Sequence, residues 1–175
     1  HPFTTSFFAR SKFINFYSIG LPNLDYENIY DFENFTDNKI SGNKISIIHC
    51  PSHSNLKGTS EISSAIDYLK EKGHEIDFKI YQGLPQKEIL KKISKCDFVV
   101  DQLYGDSPMA SLVAEAAWLG KPSVVAGYGL EKLKEFVPKE MWPPSQICHP
   151  DEISNAIEEL IIDRTKLTNL ARQTQ

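Results

Sequence analysis

Residues Ile45–Tyr81 read ISIIHCPSHSNLKGTSEISSAIDYLKEKGHEIDFKIY, and this stretch decides the fold. It opens on ISIIHC (Ile45–Cys50), a β-branched run bounded by turn residues, which predicts a buried strand. The loop PSHSNLKG follows. A helix then starts near Thr59 or Ser60, either of which can cap it, and runs to about Lys72. Ile62, Ala65, Ile66 and Leu69 recur at helical spacing and share one face. Gly73 is the expected residue just past the helix, and EIDFKIY (Glu75–Tyr81) is a second strand.

Working outward toward the C-terminus, the alternation repeats. PQKEILKKISK is a helix with Pro85 at its first turn, and DFVVDQ (Asp97–Gln102) is a strand. The loop LYGDSP leads into a helix from about Met109 to Leu119, which Gly120 stops. PSVVA (Pro122–Ala126) is a strand, GYGLEKLKEF restarts a short helix, and SQICH (Ser145–His149) is the last strand. PDEISNAIEELIID, opened by Pro150, and DRTKLTNLARQ complete the chain as helices. Strands alternating with helices of this length imply βαβ units with right-handed crossovers. The expected fold is α/β: a doubly wound parallel sheet, Rossmann-like, over residues 44–175.

Residues 1–43 read differently, as an arm or interdomain linker. Phe7, Phe8, Phe13, Phe16 and Tyr17 form an apolar cluster, GLPN (Gly20–Asn23) a turn, and ENFTDNKISGNK a surface loop. The abrupt aromatic opening resembles the middle of a protein and suggests a domain of a longer chain. It has neither the apolar core nor the cleavage site of a signal peptide.

Composition narrows the function classes. A length of 175 residues with 41% hydrophobic content suits one globular domain. A net charge of −4 and a pI near 5.7 argue against a nucleic-acid partner. No apolar run approaches the ~20 residues that span a bilayer. Three cysteines without CxxC spacing read as reduced thiols, hence a cytoplasmic protein.

In a doubly wound sheet the ligand sits outside the carboxyl ends of the strands, at the switch point of their order. That rule nominates loops 50–59, 82–86, 102–109 and 126–131. In HCPSHSNLKGT a helix amino end follows the first strand, where unpaired N–H groups and the helix dipole favour an anion. Lys57 adds a mobile positive charge, Gly58 a close backbone approach, and Ser52, Ser54 and Thr59 hydroxyls. This suits a pyrophosphate, although the loop is neither a P-loop nor GxGxxG. The segment 105–110 opens a second helix end facing the first. Glu115, two turns into a mostly apolar helix, presents two acceptor oxygens suited to the cis-diol of a ribose.

The ordered set HCPSHSNLKGT, Ala65, Leu69, Gly73, VVDQL and AEAAWLGKPSVV resembles the C-terminal half of GT-B fold retaining glycosyltransferases of the polysaccharide and lipopolysaccharide-synthesis type. The resemblance covers Ile45 to about Leu160. It implies a hexosyl or glycosyltransferase whose nucleotide diphosphate-sugar donor binds this domain. A glycan or lipid acceptor binds an N-terminal domain that is absent here. It further implies that Lys57 contacts the donor phosphates, and that Gly83, Leu84 and Pro85 lie beside the base. Ser107, Pro108, Met109 and Ala110 meet diphosphate and sugar, and Glu115 binds the ribose. Lys57 and Glu115 are the expected catalytic residues. The family generally needs no bound metal, so no cofactor is expected, and the full-length enzyme has room for peripheral membrane association.

Two departures from that pattern stand out. The family's first glutamate, eight positions before the second, is here Ser107, with Asp106 adjacent. The basic companion of the lysine is absent from HCPSHSNLKGT unless His49 or His53 substitutes. Rival readings are a non-catalytic nucleotide-binding or assembly module, a nucleotide-sugar epimerase, and a receiver-like regulatory domain. The receiver needs an acidic pair where His49 and Cys50 stand. A zinc site among His49, Cys50, His53, Cys148 and His149 matches no closed Cys/His spacing. Trp118 and Trp142 read as packing residues, and KEILKK as a solvated helix face.

Overall fold

The computed structural model describes residues 44–174, apart from positions 106, 134, 136, 137 and 139–142. The expected arm of residues 1–43, Asp106 and Trp142 therefore lie outside the described residues. Strands β1 (Ile45–His49), β2 (Ile76–Ile80), β3 (Phe98–Val100), β4 (Ser123–Ala126) and β5 (Ser145–Cys148) form one sheet. All are parallel, in the order β2-β1-β3-β4-β5. The doubly wound, Rossmann-like α/β sheet read from the sequence is the fold observed.

The burial of the strands explains their composition. β3 and β4 are buried at every residue, because a parallel sheet is covered on both faces. The edge strand β2 fades from buried to exposed along IDFKI. Alternate residues point to opposite faces. Ile45, Ile47, Phe98, Val100, Val124 and Ala126 belong to one core, while Ile48 and Val99 belong to another.

Helices between the strands are α1 (Ser54–Lys57), α2 (Thr59–Glu71), α3 (Gln86–Ile93), α4 (Ser111–Trp118) and α5 (Leu130–Leu133). After β5 come α6 (Ile153–Ile162) and α7 (Arg164–Gln173). Ile62, Ala65, Ile66 and Leu69 of α2 pack with Ile157, Leu160 and Leu167 of α6 and α7 on the first core. Ile93 of α3 and Leu112 and Ala116 of α4 cover the second. The reversal has a simple origin. α2 carries the chain from β1 out to the edge strand β2, whereas α3 and α4 carry it the other way, and crossovers of one hand then fall on opposite faces.

Four local readings need correction. The loop after β1 contains a one-turn helix, α1, and neither Thr59 nor Ser60 caps α2. Gly58 is the N-cap, with φ of 69°, and no side chain bonds the helix start. Thr59 is already the first helical residue, so its hydroxyl is free for another partner. α4 starts at Ser111 rather than Met109, because Ala110 is extended and Pro108 and Met109 lie in a turn. Pro150 opens a 3-10 turn, Pro150–Glu152, before α6 begins.

Candidate functional site

The strand order reverses direction between β1 and β3, and the segments leaving their carboxyl ends separate there into a cleft. Its volume is about 400 Å³, within the range of small-molecule sites. Cys50, Pro51, Ser52 and Lys57 come to it from the segment after β1. Tyr81, Gly83, Leu84 and Gln86 come from the segment after β2, and Asp101, Ala110, Ser111 and Glu115 from β3 and α4. Of the four nominated loops, 50–59 and 82–86 contribute, while 102–109 is represented only by the residues on either side of it, Asp101 and Ala110. The fourth does not: its Tyr128 stacks on Tyr104 at 6.1 Å and meets His149 edge-on at 5.2 Å.

Lys57 ends α1, and its ammonium is held rather than mobile, contrary to the sequence reading. Nζ donates to Asp101 Oδ1 at 2.9 Å and to Gln102 Oε1 at 3.0 Å. The Lys57 side chain is 17% exposed and that of Asp101 0%. An ammonium carries three donors, so one remains for the cleft. A buried carboxylate is costly unless paired, which explains why Asp101 takes the lysine. Among the described residues, Asp101 Oδ2 has no hydrogen-bond partner.

Glu115 is nearly buried in α4, and its Oε1 accepts from Gln86 Nε2 at 2.7 Å. Burial raises its carboxyl above the ordinary glutamate range, the Gln86 hydrogen bond opposes the rise, and the charge of Asp101 adds to it. The Cys50 thiol in the same wall is pushed up to about 12 by burial, then by Glu115 and Asp101, so it stays protonated. Among the described residues, the acidic and basic groups lining the cleft are thus the Lys57 ammonium and the carboxyls of Asp101 and Glu115.

Lys57 and Glu115 thus share one cleft, with Ser52, Gly83, Leu84 and Ala110. Other residues expected there are placed elsewhere. Thr59 directs its hydroxyl to His49 Nε2 at 2.9 Å, and the other ring nitrogen of His49 meets the Val100 carbonyl at 2.7 Å. His49 is fully buried by these contacts and is not in the cleft wall. His53 lines a separate groove with Ser54, Asn55, Leu56 and Gln82. Neither histidine is among the residues of the cleft wall.

Gly58 approaches Leu103: an added Cβ would lie 2.5 Å from the Leu103 Cβ. The start of α2 consequently abuts the β3 segment and is not in the wall, so of the two helix ends expected to converge only that of α4 lines the cleft. Pro85 is the N-cap residue of α3. Met109 packs against Val113, Val125 and Leu130. Ser107, like Pro108 and Met109, is outside the wall, and its carbonyl accepts from Gln102 at 3.0 Å.

Sequence reasoning missed Asp101, Gln102 and Gln86 as site residues. An acid ending one central strand, beside a lysine from the loop after its neighbour, was the available signal for Asp101. Gln86 had none, since an exposed helix start looks alike whether or not it reaches another element. Among the described residues no three His, Cys, Asp or Glu side chains gather as a metal group. No described helix is long and apolar enough to cross a membrane.

The fold and its cleft define a class: a Rossmann-like α/β domain with a small-molecule cleft at the switch point. No protein-family model matches the chain, and no curated protein matches it. Solved structures do. The catalytic domain of starch synthase IV from Arabidopsis thaliana, bound to ADP and acarbose, is 12% identical with a TM-score of 0.52. The match covers 83% of this chain and 37% of that one. HepE from Anabaena, in complex with UDP and glucose, is 18% identical with a TM-score of 0.51, covering 89% of this chain and 49% of that one. HepE in complex with UDP-glucose gives the same identity and TM-score. The likeness shows a shared fold, and this chain spans between a third and a half of the length of those structures.

Proposed function

We propose that this chain is the donor-binding domain of a retaining glycosyltransferase, taking a nucleotide diphosphate-sugar in the cleft at the β1/β3 switch point. One observation carries the reading: Lys57, Glu115 and the opening residues of α4 line a single cleft at the carboxyl ends of the strands. The fold shared with structures holding ADP, UDP and UDP-glucose supports it. Lys57 gives its third N–H to a phosphate oxygen, and the free N–H groups opening α4 meet another. Glu115 accepts from the ribose diol, and Gly83 and Leu84 flank the base. The leaving diphosphate is neutralised by the ammonium and the helix end, without a metal ion. Transfer to a glycan or lipid acceptor needs a second domain, and the protein works in the cytoplasm.

Titration calorimetry with UDP, ADP, GDP and their sugars tests this. Lys57→Ala and Glu115→Ala should each weaken diphosphate binding about tenfold to a hundredfold, the loss of a hydrogen bond to a charged group, roughly 1.5–3 kcal/mol. Two variants that bind like the parent would remove the site assignment. A second reading, a nucleotide-binding module without transfer, is favoured by Ser107. It replaces the family's first glutamate, and its carbonyl is engaged by Gln102. UDP-glucose binding no tighter than UDP would favour that module.

A further inference from the structure

We propose that Gln102 is a positioning residue that ties the Lys57 ammonium to the segment opening α4, so that the two halves of the phosphate grip are set by one side chain. This deepens the reading of the cleft as a diphosphate site and rests on it.

Gln102 is 7% exposed, and its amide is fully engaged. Oε1 accepts from Lys57 Nζ at 3.0 Å, while Nε2 donates to the carbonyls of Gly105 at 3.2 Å and Ser107 at 3.0 Å. A primary amide has two N–H donors, and both are used. The orientation has no alternative. Turned over, the amide would set an NH2 against an ammonium and an oxygen against two carbonyls.

The chain bound in this way leads directly to the site. Gly105 and Ser107 precede Ala110, the N-cap of α4, and Ala110, Ser111 and Leu112 line the cleft. A second tie runs in parallel, since the Leu103 N–H donates to the Lys57 carbonyl at 3.2 Å. The distance between the ammonium and the α4 amides therefore depends on Gln102. Gly105 leaves room for it: a Cβ there would lie 2.4 Å from Gln102 Nε2.

Two measurements test the coupling, the first of them separately from the ligand assignment. Hydrogen exchange of the unliganded chain, read over residues 103–112, should speed up by about tenfold in Lys57→Met and in Gln102→Met. The double variant should add little to either. Unchanged exchange in Lys57→Met overturns the proposal even if nucleotides bind. Titration then compares UDP with uridine. Gln102→Met should weaken UDP about tenfold and leave uridine unchanged, a split that general destabilisation would not produce. Gly105→Ala, which displaces the Gln102 amide without touching Lys57, should reproduce that split. Equal losses for UDP and uridine in both variants overturn the positioning role. If the parent binds neither ligand, the diphosphate reading fails, while the exchange result still decides the coupling.

Discussion

At the scale of single residues, burial sets the titration behaviour of two groups in opposite directions. The folded Glu115 carboxyl keeps its proton at pH values where an ordinary glutamate, near 4.5, has lost it. The folded state then binds more protons than the unfolded one, so stability falls as pH rises from about 4.5 through the raised value. Glu115→Gln should consequently be more stable than the parent at neutral pH, read as a higher denaturant midpoint. A lower midpoint there would refute the sign. Nucleotide affinity should move the other way, rising over the same window as the carboxylate forms. His49 is pushed below 6.5, chiefly by burial, with Val100 and Asp101 opposing and Lys57 assisting. The unfolded chain binds the extra proton here, and stability is lost as pH falls below 6.5 through the lowered value. Of the site, Lys57 and Glu115 were legible because a lysine in a strand-to-helix loop and an acid on an apolar helix are unusual. Asp101 was legible only as a strand end, since nothing local announces that Lys57 folds onto it.

At the scale of elements, glycine placement separates two helix ends of similar appearance. Gly58 has φ of 69° and a prospective Cβ 2.5 Å from Leu103, so Gly58→Ala meets both backbone strain and a clash with a neighbouring segment. Gly73, after α2, has φ of 98° with nothing within 4 Å of a prospective Cβ. Urea unfolding should show Gly58→Ala destabilised by ~3 kcal/mol and Gly73→Ala by only ~1 kcal/mol. Equal losses would mean that Leu103 yields. The strands and the longer helices were readable because β-branched runs and 3.6-residue spacing are local properties. The α1 turn was not, since four residues carry no periodicity, and its existence depends on Gly58 reversing the chain against Leu103.

At the scale of the whole molecule, a ligand that binds only the folded domain must stabilise it. UDP at a hundred times its dissociation constant should add about 2.7 kcal/mol and raise Tm by several degrees. The shift should shrink at the same UDP concentration in Glu115→Ala. No shift in the parent at millimolar UDP would count against the donor site. By itself the sequence determined the alternation of strands and helices, and with it the doubly wound sheet, because hydrophobic periodicity and crossover handedness leave few other arrangements. Tertiary structure alone decided which loops meet. It set Asp101 and Gln102 on Lys57 across 44 and 45 positions of chain, turned His49 and Thr59 into mutual partners, and kept the start of α2 out of the cleft. Pairings at such separations depend on strand order and packing, which no local pattern encodes.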